Sequence, residues 1–249
     1  MTVNAILQAR MSSTRLPGKV LKPILGKPML VQQIERIKRS ILIDNIIVAT
    51  SDDSSDDEIE YLCKSLDIKC FRGSLHDVLA RYYQASLAYP SEHIVRVTGD
   101  CPIIDPDIID KVITLHIGSN ADYTSNCMHP SFPDGLDTEV FTFDALESAF
   151  LNATSKDERE HVTPYIYAEK SNKICEEFRH SPNLAHLRWT VDQPEDFILI
   201  EHIYNTLYPT NPNFTFKDVL SLIEEQPQLT QINKQFALDY PQQNANRED

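Results

Sequence analysis

Apolar residues in the first hundred positions follow two periods. Short apolar runs at 3–7, 45–49, 68–71 and 93–97 read as strands. Between them, residues 29–39, 56–65 and 77–88 space their apolar side chains as amphipathic helices do. Strands alternating with helices predict a doubly wound α/β domain with a mostly parallel central sheet. In such sheets ligands bind beyond the carboxyl ends of the strands, where the strand order switches. Three polar loops fall at those ends: 8–19, 50–53 and 98–102.

After residue 110 the alternation weakens. Residues 107–117 read as a helix, 121–125 and 138–143 as strands, and 144–151 and 163–170 as helices. Residues 187–191 are predicted as a strand, followed by a helix over 194–204 with Pro194 in its first turn. Pro130, Pro133 and Gly135 make 126–137 a loop, expected to lie over the site. The polar tail 237–249 is expected to fray, which leaves 1–236 as one domain.

A chain of 249 residues, 41% apolar, suits a single well-packed core. Its net charge of −14 argues against nucleic acid as a partner. Any anionic ligand must then be held by local cations. No stretch approaches the roughly 20 apolar residues of a membrane span. The N-terminal apolar run meets Arg10 too soon for a signal peptide. Cys63, Cys70, Cys101, Cys127 and Cys175 form no CxxC pair, so free thiols in a reducing cytoplasm are expected.

Against that acidic background the segment QARMSSTRLPGK at 8–19 stands out. It sets Arg10, Arg15 and Lys19 beside the hydroxyls of Ser12, Ser13 and Thr14, with Gly18 among them. Fixed positive charge, hydroxyl donors and an approachable backbone are what a polyphosphate needs. A solvated surface loop fits the same residues equally well. With six glycines in the chain, none paired for GxGxxG or for a P-loop, both familiar phosphate loops are excluded.

Two further strand ends carry acids. In VTGDCP (97–102), Asp105 ahead of Pro106 reads as the cap of the next helix. That leaves Asp100 free for Mg2+, which favours one or two carboxylates plus phosphate oxygens. In RWTVDQPED (188–196), Asp192 stands at the expected N-cap, and its residue type alone favours capping over metal binding. A third group gathers Asp134, Asp137 and Glu139 around Gly135, with Arg159 and His161 downstream. Its carboxylates suit sugar hydroxyls, and Arg159 or His161 suits an acid group; His161 is otherwise an ordinary structural histidine. Neither a Ser-His-Asp order nor a histidine-rich metal cluster is present.

Residues 8–19 with Gly26, Lys27, Pro28 and Met29 resemble the nucleotide-binding signature of sugar-acid cytidylyltransferases, such as the 3-deoxy-manno-octulosonate and acylneuraminate enzymes. Further stretches (71–83, 97–102, 132–140, 158–164 and 187–196) look closest to the spore coat polysaccharide biosynthesis protein F family. The resemblance implies a three-layer nucleotide-diphospho-sugar transferase fold of the glycosyltransferase A type, commonly dimeric. An insertion at about 121–180 would serve sugar binding and dimerisation. Arg10, Arg15 and Lys19 match positions that hold the triphosphate, with Arg15, Lys19 and Asp100 as the catalytic set. Asp100 matches the first Mg2+ ligand and Asp192 the second. Thr50, Ser51 and Asp52 match the base and ribose loop. Gln8, Ala9, Ser12, Thr14, Arg72 and Thr98 complete the implied nucleotide site. Asp134, Gly135, Asp137, Glu139, Arg159 and His161 form the implied sugar site. Two departures bear on the acceptor: Cys101-Pro102 replaces the usual Glu-Pro pair, and 126–139 does not match the octulosonate enzymes.

The expected reaction is Mg2+-dependent transfer of CMP from CTP to a sugar acid or related acceptor, in the cytoplasm, by a homodimer. A glycosyltransferase on the same fold is disfavoured, because Asp100-Cys101-Pro102 lacks the second acid of a DxD metal motif. A non-catalytic nucleotide-binding partner is disfavoured by the intact Lys19, Asp100 and Asp192.

Overall fold

The computed structural model describes residues 1–237. The expected frayed tail, apart from Ala237, lies outside the described residues. The four apolar runs become β1 (Val3–Gln8), β4 (Asn45–Ser51), β5 (Lys69–Gly73) and β6 (His93–Thr98). A small hairpin of β2 (Pro23–Ile24) and β3 (Lys27–Pro28) precedes α1 (Met29–Ile37). Then come α2 (Asp57–Ser65), α3 (Val78–Ala88) and α4 (Pro106–Ser119). As expected, Asp105 caps α4, accepting from the N–H groups of Asp107 and Ile108 at 2.9 and 3.2 Å.

The later half adds β7 (Tyr123–Ser125), β8 (Glu139–Thr142) and β9 (Cys175–Glu177) to the same sheet. The segment expected as an insertion thus continues the sheet. Helices α5 (Phe143–Asn152), α6 (Lys156–His161), α7 (Pro164–Tyr167), α8 (Pro194–Leu207) and α9 (Phe216–Glu225) complete the chain. The expected helix over 163–170 is shorter, since Tyr167 ends α7 and a 3-10 turn at Glu169–Ser171 follows.

Sheet order is β5-β4-β1-β6-β8-β7-β9, and β8 alone runs against its neighbours. Alternate residues of β1 serve opposite faces, as a period of two requires. Val3, Ala5 and Leu7 pack with α1, α2, α4, α8 and α9; Ile6 packs with α3, α5 and α7. The sheet therefore lies between two helical layers, in the three-layer arrangement expected. Among the described residues no helix is long and apolar enough to cross a membrane.

One expected strand is absent. Residues 187–191 join no ladder beyond a single bridge between Asp134 and Arg188, and the chain bends at Thr190. Their backbone is pinned from two sides instead: Trp189 N–H donates to Asp134 O at 2.7 Å, and Val191 N–H to Asp100 O at 2.8 Å. The strand expected here is absent because its apolar run finds no neighbouring strand to pair with.

Candidate active site

β1 runs to β4 on one side and neighbours β6 on the other, so the strand order switches between β1 and β6. The loops leaving those two strands, 9–19 and 99–102, line a cavity of about 320 Å³. Close approach of the two strand ends is possible because Gly99 has no side chain. A Cβ there would lie 2.8 Å from Gln8 O, the atom that Gly99 N–H itself binds at 2.8 Å.

Lys19 dominates the cavity floor. Its ammonium donates to Val191 O at 2.7 Å and Asp192 Oδ1 at 2.7 Å, and sits 3.3 Å from Asp100 Oδ2. Burial disfavours that charge, yet Asp100 and Asp192 outweigh it and raise the Lys19 pKa above its ordinary value. Asp192 is half-buried, which raises its carboxyl, but Lys19, Arg15 and Arg188 outweigh this and pull it below the ordinary value. Arg15 reaches Asp192 Oδ2 at 2.8 Å. Asp192 is not the helix cap expected from sequence. Asp196, one turn into α8, accepts from the N–H groups of both Asp192 and Gln193 at 2.9 Å. The Asp192 carboxylate is thereby released to face Lys19.

Two carboxylates that touch one ammonium converge on one point. Among the described residues no group of three or more His, Cys, Asp or Glu side chains is arranged to hold a metal. Two acids with space beside them fit a hard cation that takes its remaining oxygens from phosphates and water. Lys19 holds positive charge between them.

Of the nucleotide residues expected from sequence, Gln8, Ala9, Arg10, Thr14, Arg15, Lys19 and Thr98 line the cavity. Ser12, Thr50, Ser51, Asp52 and Arg72 do not. Thr50 and Ser51 turn inward, and both hydroxyls donate to Asp56 Oδ2, at 2.9 and 2.5 Å. The other oxygen of Asp56 accepts Met11 N–H at 2.7 Å. These residues thus anchor the loop rather than face a ligand. Arg72 is occupied by Asp57 and Glu60 at 2.7 and 2.6 Å and by the carbonyls of Ser51 and Asp53.

Sequence reading missed Arg81 and Arg96, which line the cavity from α3 and β6. Arg81 is 2% exposed and donates to Ser74 O at 2.9 Å. It has no carboxylate within ion-pair reach among the described residues, and burial lowers its pKa. A buried arginine without a counter-charge is costly unless an anion arrives. Its place in the VLARYY stretch was the one signal available.

A second cavity, of about 440 Å³, shares Arg96, Thr98 and His161 with the first. Asp137 and Glu139 line it, as expected for a sugar site, together with Tyr123, Thr163 and Tyr167. Burial first, then the charges of Asp134, Glu139 and Asp100, push the Asp137 carboxyl up to about 8. Val162, between α6 and α7, has φ 72°, a strained value for a β-branched residue. It turns the chain so that His161 and Thr163 both reach this cavity.

Asp134, Gly135 and Arg159 stay outside both cavities. Asp134 pairs with Arg188 at 2.8 Å, and Arg188 also grips Asp196 at 2.9 Å. Gly135, at φ 107°, lies so close to residues 189–190 that a Cβ would fall 2.5 Å from Thr190 N. Both therefore hold the segment that carries Asp192. Arg159 pairs with Asp77, the cap of α3, at 2.5 Å and donates to Phe150 O.

Comparison with known proteins gives a consistent outcome. A cytidylyltransferase family model matches residues 4–242. An uncharacterized protein of Methanocaldococcus jannaschii is 39% identical, covering 94% of this chain and 95% of its own. Spore coat polysaccharide biosynthesis protein SpsF of Bacillus subtilis is 33% identical over 89% and 94%. A cytidylyltransferase structure from Leptospira borgpetersenii superposes with a TM-score of 0.88 at 32% identity, covering 93% of this chain and 97% of that one. With a family model across nearly its whole length and relatives above 30% identity, the chain belongs to the cytidylyltransferase family and is a nucleotidyltransferase.

Proposed function

We propose that the protein transfers CMP from CTP to a sugar-like acceptor with release of pyrophosphate, in surface polysaccharide or glycan synthesis. The observation that carries this reading is the Lys19 ammonium held between Asp100 and Asp192 in a cavity also lined by Arg10, Arg15 and Arg81. A triphosphate brings the negative charge that this set lacks. Attack on phosphorus needs charge neutralisation and alignment more than covalent help. Arg10, Arg15 and Lys19 hold the β- and γ-phosphates and stabilise the leaving pyrophosphate. Arg81 answers its buried charge on the same phosphates.

Asp100 and Asp192 would hold Mg2+, which supplies neutralisation of the α-phosphate and alignment of the attacking oxygen. The segment from Asp134 through Arg188 keeps Asp192 turned to the cavity. The acceptor occupies the second cavity, across the wall of Arg96, Thr98 and His161. A cytoplasmic homodimer completes the reading, supported by family resemblance and, for the compartment, by five cysteines free of disulfides.

The test is a pyrophosphate-release screen of the four nucleoside triphosphates with Mg2+ against a panel of sugars. Release specific to CTP is expected. Release of a free nucleoside diphosphate from a nucleotide sugar would replace this reading with glycosyl transfer.

A further inference from the structure

Asp56 precedes α2, lines neither cavity and is fully buried. A buried carboxylate is costly unless donors fill it. Its four partners among the described residues are all N–H or O–H donors. Thr50 Oγ1, Ser51 N–H and Ser51 Oγ donate to Oδ2 at 2.9, 3.0 and 2.5 Å, and Met11 N–H donates to Oδ1 at 2.7 Å. Three of these bonds tie Asp56 to the end of β4. The fourth crosses 45 residues of sequence to reach the cationic loop.

Met11 is where that loop closes on itself. Its carbonyl accepts from Ser13 N–H and Gly18 N–H, both at 2.9 Å, and Gly18 directly precedes Lys19. One residue before Arg10, Ala9 N–H donates to Ala49 O at 3.2 Å. Arg10 thus stands between two amides, one tied to β4 and the other to Asp56. Its own side chain is exposed and makes no hydrogen bond or ion pair among the described residues, so the backbone on either side sets its position. The anchor is braced in turn. Arg72 donates to the carbonyls of Ser51 and Asp53 at 2.9 and 2.8 Å, while Asp57 and Glu60 of α2 pair with it.

We propose that Asp56 is a positioning residue for the nucleotide: through Met11 N–H it holds the loop of Arg10, Arg15 and Lys19 in its phosphate-binding shape before CTP arrives. The inference rests on the nucleotidyl-transfer reading of the first cavity given above. Thr50, Ser51 and Arg72, which face no ligand, act through this carboxylate. A loop ordered in advance loses less freedom on binding, and the affinity gained is the ordering cost avoided. Once CTP is bound, the phosphates themselves order the cations, so Asp56 acts on affinity more than on the chemical step.

Asp56→Asn tests this at one atom. The amide oxygen is needed by the three donors at Oδ2, so the NH2 group turns to Met11 N–H, where two donors meet and the bond is lost. The substitution also removes a negative charge that Arg81 feels, which by itself favours an anion. Weaker CTP binding therefore reports lost position and not lost charge. With the full chain and Mg2+, Asp56→Asn should weaken CTP binding about 10- to 100-fold by calorimetry. With the acceptor found in the pyrophosphate-release screen, KM for CTP should rise while kcat changes little. Ser51→Ala, which spares the Met11 bond, should shift CTP affinity less. In the nucleotide-free wild type, hydrogen exchange at the Met11 amide should be slow, and in Asp56→Asn at least about tenfold faster; the wild-type rate is a test even where the variant fails to fold. Equal or tighter CTP binding by folded Asp56→Asn, a loss confined to kcat, or fast Met11 exchange in the wild type overturns the inference and leaves CTP use standing. Failure of CTP to bind the wild type removes the nucleotide reading, and this inference with it.

Discussion

The two cavities meet at one wall yet are built on opposite electrostatic plans. In the first, cations outnumber the acids that face them, and the buried Arg81 has no counter-charge. In the second, the single guanidinium is already paired, and burial pushes the partnerless Asp137 carboxyl up to about 8. The first offers uncompensated positive charge to an anion; the second offers no unpaired cation among the described residues. Charge balance alone thus distinguishes the cavity proposed for the nucleotide from its neighbour, in a protein whose net charge of −14 would repel an anion.

The contrast can be broken most severely at Asp100. Asp100→Asn is expected to slow CTP-dependent pyrophosphate release by about 10³-fold or more, roughly 4 kcal/mol of barrier, with the thermal melt preserved. Wild-type turnover would remove Asp100 from the reaction. Next comes Glu139→Ala, which strands the Arg96 guanidinium in the shared wall. Breaking a buried pair should cost about 3 kcal/mol of unfolding free energy by denaturant titration. An unchanged midpoint would mean that another contact holds the wall.

Lys19→Ala probes the first cavity more gently. Loss of one charge-assisted contact should slow turnover about 10- to 100-fold. Because Asp100 and Asp192 would then face each other without an ammonium, Mg2+ should bind the nucleotide-free variant more tightly by calorimetry. Weaker Mg2+ binding would count against these two acids as the metal site.

The smallest effect lies away from both cavities and serves as their control. His116 is fully buried beneath β7, with one ring nitrogen 3.1 Å from His93 and the other 3.0 Å from Thr124 Oγ1. Burial, with some help from His93, holds its pKa down to about 4. In the unfolded chain a histidine titrates near about 6.5, so the unfolded state gains the proton first. Its contribution to stability is therefore complete above about pH 6.5 and is lost as pH falls toward 4. Thermal melts across that window should fall less steeply in His116→Gln than in the wild type, with CTP turnover at neutral pH unaffected. Parallel melting curves would assign the acid sensitivity to other groups.

How much of this was legible in the chain depended on how locally each part is encoded. The opening loop carries its cations within twelve residues, so its chemistry could be read directly. The sheet was equally clear up to β6, because period and length agree there. Asp192 was misread as a cap because two acids lie within one helical turn, and only folded geometry shows that Asp196 takes the N–H groups. Thr50, Ser51 and Arg72 had suitable types beside a suitable strand end, yet strand direction turns two hydroxyls toward Asp56. Arg81 and Arg96 were passed over because an arginine inside a helix or strand reads as a break in the apolar pattern. The apolar run at 187–191 looked like a strand because propensity does not record the presence of a neighbour.

The wall of Arg96, Thr98 and His161 has a thermodynamic consequence. With the proposed substrates on either side of it, any coupling this wall carries between the two binding equilibria would be reciprocal. By whatever factor bound nucleotide changes the affinity for acceptor, bound acceptor changes the affinity for nucleotide. Under the proposed function, the supply of either substrate would then set how strongly the enzyme competes for the other.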